Sequence, residues 1–328
     1  IQISQITQFK GGQSNPTYLV ETNINNFVLR RKPPGKLLKS AHAVDRECRV
    51  MTALHDTDVP VPKTFGYCDD ETVIGTPFFV MDHVVGNIYW ELLLPGCDPN
   101  QRREIYLSMN DTIAKLHNVD FNKVNLADYG KHENYMGRQI HRWTKQYKDS
   151  ETQMIPEINE LIEWLPKNIP SDQETSIVHG DFRLDNMIFD PVTNEVKAIL
   201  DWELSTLGNP IADFTYHMMS WRLPAGAKGL GMMGLDLKSL NIPSESEYAE
   251  LYYKKTGREK IDNWDFYMAY NIFRLAGIAQ GIVGRVRDGT ASSSEAKNYE
   301  AFVPILGKLG WSICLLYTSD AADDGYRG

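Results

Sequence analysis

Asp181, Asn186 and Asp201 combine two kinds of chemistry. Asn186 offers an amide oxygen and Asp201 a carboxylate. Both are ligands for a hard divalent cation, which takes oxygen donors and leaves room for phosphate oxygens. Asp181, five residues ahead of Asn186, is a carboxylate that need not touch the metal. It can accept a proton from an attacking hydroxyl. Each residue alone would pass as an ordinary turn residue, because Asp and Asn are common in turns. The three in order, between apolar runs, point to one site.

The elements that must position them are short. Ser176-Ile177-Val178 reads as a buried strand leading in, and Met187-Ile188-Phe189 and Val196-Lys197-Ala198-Ile199-Leu200 read as two more. The polar connection Asp190-Pro191-Val192-Thr193-Asn194-Glu195 carries turn residues. A hairpin of that shape returns the chain to its start. It sets Asn186 beside Asp201 and leaves Asp181 on the loop that feeds it.

An Asp-x4-Asn followed by a metal-binding Asp is the layout of phosphoryl transfer in the protein-kinase class. The string His179-Gly180-Asp181-Phe182-Arg183-Leu184-Asp185-Asn186, with the later Asp201-Trp202-Glu203, resembles the aminoglycoside phosphotransferase and choline kinase superfamily, which is similar to the protein kinases in fold. Phe27-Val28-Leu29-Arg30-Arg31-Lys32-Pro33-Pro34-Gly35, Ser40-Ala41-His42, Arg46-Glu47 and Leu204-Ser205-Thr206-Leu207-Gly208-Asn209-Pro210 resemble one branch of it. That branch holds the phosphotransferase domain found ahead of some acyl-CoA dehydrogenases, and free-standing bacterial relatives. The resemblance spans about residues 3 to 313. It implies an α+β, two-lobed protein-kinase-like fold. A small β-rich N-lobe over residues 1–84 would bind nucleotide, and a larger, mainly α-helical C-lobe over 85–313 would carry catalysis and the acceptor. It also implies ATP or GTP as donor, Mg2+ on Asn186 and Asp201, and Asp181 as base. His179 would anchor the loop, Arg183 would sit near the transferred phosphate, and Asp213 would brace the catalytic loop.

The N-terminal stretch fits a nucleotide grip. Ile6–Phe9, Thr17–Glu21 and Asn26–Arg30 read as strands, with Gly11-Gly12-Gln13-Ser14-Asn15-Pro16 between the first two. Glycines let backbone N–H groups approach phosphate, and Ser14 and Asn15 add donors; a plain hairpin turn is the alternative. Arg30 stands where protein kinases carry a lysine, and arginine also pairs well with phosphate oxygens. A helix is expected from about Ala41 to Leu54 with Ser40 as its cap, Val44, Cys48 and Met51 on its apolar face, and Glu47 at the border. The resemblance pairs Glu47 with Arg30. Phe78–Met81 reads as an apolar strand, and Met81 precedes an Asp82–Gly86 hinge whose backbone would hold the base.

From Asn87 the chain is expected to turn helical. Asp98-Pro99-Asn100-Gln101 has good helix-start chemistry, and Ile105, Met109, Ile113 and Leu116 line one face, with His117 as a structural histidine. Arg138, Arg142 and Lys145 recur at helical spacing as a basic stripe. It is either a solvated face or a site for an anionic acceptor, such as the phosphates of coenzyme A. Glu203, Arg274 and Gln280 are further candidates for the acceptor. Asp213 is expected to open an apolar helix, and Asp262–Asp265 a long one to about Arg287.

Composition bounds the remainder. The chain has 328 residues, 42% hydrophobic, and a formal net charge of −9, which argues against nucleic acid and anionic membranes as partners. No apolar run reaches the roughly 18 residues of a membrane span. Cys48, Cys68, Cys97 and Cys314 show no metal-site spacing, which fits a reducing cytoplasm. Position 1 is not Met, so a preceding segment stays open. The run from Cys314 resembles a translated sequencing-library adapter and shows no helical or strand period, so residues 314–328 are expected to be a non-native tail. Taken together, the sequence predicts a small-molecule kinase acting on a substrate hydroxyl, of a hydroxyacyl-CoA or hydroxy acid. An aminoglycoside, macrolide or aminoalcohol kinase, or a nucleotide-binding pseudokinase, are the alternatives. The oligomeric state is not legible.

Overall fold

The computed structural model describes residues 1–9, 15–33, 43–171, 174–226, 229–261, 263–289 and 297–324. Its contacts divide the chain into two compact units. The first comprises residues 1–130, 176–207 and 236–258, and the second 131–175, 208–235 and 259–328.

The first unit begins with a five-stranded antiparallel sheet: β1 (Ile3–Gln8), β2 (Thr17–Thr22), β3 (Asn26–Arg31), β4 (Thr64–Cys68) and β5 (Phe78–Asp82), in the order β1-β2-β3-β5-β4. Strand alternation puts Arg30 on the same face as the buried Val28. Helix α1 (Val44–Leu54) packs against β4 and β5 and buries Val44, Glu47, Cys48, Met51 and Leu54. It starts at Val44, later than expected, with Ala43 at its N-cap and no side-chain cap. Ser40 lies outside the described residues. Glu47 is inside the buried face rather than at its border, three residues from Val44. β4 and the short α2 (Glu71–Ile74) were not anticipated.

After β5 the chain does not turn helical at Asn87. Asn87 exchanges backbone hydrogen bonds with Phe189, 2.8 Å each way, and Leu94 is buried at a φ of 48°. Pro95-Gly96 and the bond from the Tyr106 hydroxyl to the Leu92 carbonyl (2.8 Å) fit an irregular strap better than a helix. Helix α3 (Pro99–Asn118) then starts with the expected capping box: Asp98 accepts from the Asn100 and Gln101 N–H groups, and Gln101 reaches back to the Asp98 N–H. Ile105, Met109, Ile113 and Leu116 are buried on its inner face, against α7 (Glu245–Thr256). His117 bonds the Tyr252 hydroxyl at 2.7 Å, the structural role expected of it. Strands β6 (Ser176–Val178), β7 (Met187–Phe189), β8 (Val196–Ile199) and β9 (Thr206–Gly208) complete the unit as two small pairs, β6-β9 and β7-β8.

The second unit is helical: α4 (Tyr135–Ser150), α5 (Pro156–Trp164), α6 (Pro210–Met218), α8 (Trp264–Arg287) and α9 (Lys297–Asp324). α8 packs against α4, α6 and α9. α6 opens at Pro210 behind an Asn209 cap, not at Asp213, because proline suits the first helical position and Asn209 accepts from Ile211 and Ala212. α9 runs through Cys314 to Asp324, so the chain beyond residue 313 is helical where no period was expected. The buried series Val303, Leu306, Ile313 and Cys314 carries the helical spacing across that point.

Asp98→Ala removes the side-chain half of the α3 capping box and leaves the Gln101 bond to the backbone N–H. Urea unfolding should show a loss of about 1 kcal/mol, with no change in ligand binding.

Candidate active site

The hairpin folds as its residues demand. Met187 pairs with Ile199 and Ile188 with Ala198 in β7 and β8, and the Leu200 N–H donates to the Asn186 carbonyl at 2.8 Å. The two ends of the hairpin, at Asn186 and Asp201, therefore lie together. The turn is held by Asp190, which accepts from the Val192 and Thr193 N–H groups.

The loop before the hairpin is fixed by His179, which is fully buried. Its Nδ1 accepts from the Asp181 N–H (3.2 Å), so its Nε2 carries the proton and donates to the Leu200 carbonyl (2.9 Å). The ring stacks edge-on against Trp202, with centroids 4.7 Å apart. Gly180 is irreplaceable on two counts. Its φ is +84°, and a Cβ there would come 2.7 Å from the Leu204 carbonyl oxygen. Asp181 is then held from one side by Asn186, whose Nδ2 donates to its Oδ2 (3.1 Å) and its carbonyl (2.9 Å). Arg183 lies on the other side, its Nε 3.6 Å from Asp181 Oδ1, while it also pairs with Asp185.

Across from this loop, Arg30, its side chain 13% exposed, sits between two carboxylates. Its Nε lies 2.9 Å from Glu47 Oε2 and its Nη2 2.6 Å from Asp201 Oδ1. Asn15 Nδ2 donates to the other Glu47 oxygen at 2.8 Å. Glu203 joins them: one carboxylate oxygen each from Glu47, Asp201 and Glu203 lie within 4.8 Å of one another. One guanidinium thus faces three carboxylates. Burial pushes the Glu47 carboxyl up to about 7, with Asp201 and Glu203 adding to the effect and Arg30 opposing it. Burial works against the Arg30 charge, but Glu47 and Asp201 outweigh it and raise its pKa. A surplus of negative charge on oxygen-only donors fits a hard divalent cation. The Asn186 amide nitrogen is engaged with Asp181, which leaves its oxygen for such an ion.

Asp181, Asn186, Asp201, Arg30, Glu47, Asn15, His179 and Arg183 thus come together. So does Glu203, whose carboxylate lies with those of Glu47 and Asp201. Gly11, Gly12 and Ser14 lie outside the described residues. Met81 is buried in β5, paired with Val28. The second unit holds the rest. Asp213 is buried in the first turn of α6. Arg274 is buried over the Tyr216 ring (4.2 Å) and near Trp143 (5.4 Å). Arg138 folds back onto the Lys131 carbonyl at 2.8 Å, apart from the rest of its stripe. Gln280 ties α8 to the Ser150 carbonyl at 2.7 Å.

Sequence reasoning missed the latch behind Asp201. Arg46 donates to the Tyr129 carbonyl (2.7 Å) and stacks over the Tyr129 ring (4.1 Å), and the Tyr129 hydroxyl meets Ser205 Oγ at 2.6 Å. The pairing of Arg46 with Glu47 in the sequence was the available signal, since adjacent positions on α1 face different partners.

The phosphotransferase enzyme family profile matches residues 5–248. Mouse acyl-CoA dehydrogenase family member 10 is 44% identical over 324 residues, 98% of this chain and 30% of that protein. Human acyl-CoA dehydrogenase family member 11 is 41% identical over 307 residues, 93% of this chain and 39% of that protein. The chain therefore spans about a third of the length of these curated relatives. Among solved structures, a Ralstonia eutropha protein assigned to the aminoglycoside phosphotransferases is 48% identical, with a TM-score of 0.88 over 95% of this chain and 92% of that one. An aminoglycoside phosphotransferase solved with GDP and kanamycin shares 13% identity and a TM-score of 0.64, over 93% and 94% of the two chains. At that identity it shows the fold alone. The expected kinase-like fold is present, with a small antiparallel sheet in the N-terminal region and a larger helical C-terminal region.

The raised Glu47 carboxyl has a sign that can be checked. Its ordinary value is 4.5 and its folded value about 7, so folding takes up a proton. That contribution is full below 4.5 and is lost as pH rises through about 7. In metal-free protein, wild type should lose up to about 3 kcal/mol more than Glu47→Gln between pH 4.5 and 7.5 in urea unfolding. Parallel pH profiles would contradict the assignment.

Proposed function

The chain belongs to the phosphotransferase enzyme family, and from that premise we propose that it is a small-molecule kinase moving the γ-phosphoryl group of ATP or GTP to an acceptor hydroxyl. The observation that carries this is Asp181, held by Asn186 and the Arg183 guanidinium beside a cluster of one arginine and three carboxylates. Asp181 takes the proton of the acceptor hydroxyl as its oxygen bonds to the γ-phosphorus, and the bond to the nucleoside diphosphate breaks. Asn186 fixes the carboxylate so that little reorganisation is needed at transfer. Arg183 faces the phosphate being moved. Arg30, held by Glu47, grips the nucleotide phosphates together with the Gly11-Gly12-Gln13-Ser14-Asn15 loop. A Mg2+ bound by Asn186 and Asp201 supplies charge neutralisation to the phosphate oxygens.

On this reading residues 1–84 bind nucleotide, with Met81 leading into the hinge. Residues 85–313 carry catalysis and the acceptor, Asp213 braces the catalytic loop, and 314–328 are an appended tail. The acceptor is a hydroxyacyl-CoA or related hydroxy acid, a class supported by the relatives' names as acyl-CoA dehydrogenases. An aminoglycoside acceptor is the second reading, favoured by the assignment of the Ralstonia relative. A pseudokinase is disfavoured, because Arg30 is paired with Glu47 and Asp181 and Asn186 are in hydrogen-bond contact. The reading places the enzyme in the cytoplasm. Among the described residues no helix is long and apolar enough to cross a membrane.

Mg2+-dependent ADP release across hydroxyacyl-CoAs, free hydroxy acids, aminoglycosides, macrolides and choline tests both layers. One acceptor should raise turnover. Asp181→Asn should lower that turnover by roughly 10²–10⁴-fold while nucleotide binding stays near wild type. Near-native turnover in Asp181→Asn would overturn the assignment.

A further inference from the structure

Asp201 ends the hairpin in an uncommon backbone conformation. Its φ is 63° and its ψ 60°, a left-handed geometry that costs any residue with a Cβ. The 3₁₀ turn that follows, Trp202–Leu204, is a single turn with little strength of its own. Its support comes from outside. On one side the Trp202 indole N–H donates to the Ile199 carbonyl at 3.0 Å. On the other, a chain of hydroxyls closes on it. Ser205 Oγ donates to the Trp202 carbonyl at 2.5 Å, so the Tyr129 hydroxyl is the donor in its 2.6 Å bond to Ser205 Oγ. Both residues are buried, and burial pushes the Tyr129 pKa up although the Ser205 bond and the Arg46 charge pull the other way. The donor proton therefore stays in place.

Arg46 joins this chain to α1. Its Nη2 donates to the Tyr129 carbonyl at 2.7 Å and to the Ser205 carbonyl at 3.3 Å, while its guanidinium carbon lies 4.1 Å from the centre of the Tyr129 ring. A planar guanidinium can stack and donate at once, which an ammonium cannot. The chain at 129–130 approaches 205–207 this closely because Gly130 lacks a side chain. A Cβ there would meet the Thr206 hydroxyl and come 2.7 Å from the Leu207 nitrogen.

Arg46 precedes Glu47 in α1, and Ser205 follows Asp201 and Glu203 on the turn. The latch is thus a second connection between the helix of Glu47 and the turn of Asp201, made without Arg30. That connection has a task. Three carboxylates within 4.8 Å of one another repel, and the repulsion favours moving the turn away from α1. We propose that Arg46, acting through Tyr129 and Ser205, is a positioning residue that holds Glu47 and Asp201 at their working separation before nucleotide and metal arrive. Arg46 itself touches no phosphate. The inference rests on the proposed kinase reading for what is bound, and on these contacts for the positioning.

Titration calorimetry with Mg·ATP, paired with urea unfolding of the same preparations, tests it. Arg46→Lys keeps the charge but loses the fork and the stack, and Ser205→Ala cuts the link to the turn without altering α1. Each should weaken Mg·ATP binding by about tenfold or more, the loss usual when a group behind a metal ligand is removed. In a Glu47→Gln background the Arg46→Lys loss should shrink to a small remainder, because the two act on one unit. Arg49→Lys is the control. It lies on the same helix and pairs with the exposed Asp128, so affinity should stay at the wild-type value. A contact that only stabilised the fold would lower the urea midpoint and leave the affinity of the folded protein unchanged. That result overturns the latch, as does an equal loss in Arg49→Lys or full additivity with Glu47→Gln. If Arg46→Lys fails to fold, Ser205→Ala decides by the same affinity criterion. Wild type that fails to bind Mg·ATP overturns the nucleotide reading and the latch together, whereas wild-type binding with unchanged variants overturns the latch alone.

Discussion

The structure of the site depends on Arg30. It sits between Glu47 on α1 and Asp201 after the hairpin, at 2.9 and 2.6 Å, and all three lie away from bulk water to different degrees. A buried carboxylate without a partner costs several kcal/mol, and Glu47 occupies a helix position that its neighbours fill with apolar side chains. Only the guanidinium, helped by the Asn15 amide, makes that position tolerable. The same guanidinium then ties β3 and α1 to the far end of the catalytic hairpin. Because a single cation meets three carboxylates, the cluster holds spare negative charge. That surplus suits a divalent cation better than a closed salt bridge would.

The loop of Asp181 is set by a second, independent arrangement. His179 bridges the Asp181 N–H and the Leu200 carbonyl, and Gly180 makes a turn that no other residue could make beside Leu204. Asn186 couples the loop to the hairpin by bonding Asp181 twice. The hairpin is anchored in turn, through Phe189 to Asn87 and through Ile199 to the Pro60 carbonyl. Asp181 and the acidic cluster therefore share one framework of backbone hydrogen bonds. Positioning of this kind is what a loose phosphoryl-transfer transition state asks of a protein.

What the sequence disclosed followed from range. The hairpin was legible because its apolar runs and its Asp190–Glu195 turn are local, and the α3 start because Asp98 and Gln101 act on each other. The buried series of α3 followed from helical period. Long-range effects were hidden. Glu47 sits on the core face of α1 by spacing, but its burial required Arg30 and Asn15. β4 was missed because Thr64-Phe65-Gly66-Tyr67-Cys68 has a central glycine and a largely exposed surface. The strap after Asn87 read as helix because its pairing partner, Phe189, is about a hundred residues away. The bond from Gln280 to the Ser150 carbonyl was hidden because a backbone acceptor leaves no mark in the side chains.

The central claim is that Arg30 and Glu47 act as one unit in holding the nucleotide phosphates. A double-mutant cycle on Mg·ATP affinity, with Arg30→Met, Glu47→Gln and both together, measures it most directly. If the pair is a unit, each single variant should lose roughly tenfold or more and the double variant little beyond the worse single, a coupling on the order of 1 kcal/mol or larger. Losses that simply add would contradict the account and leave Arg30 as an independent phosphate contact.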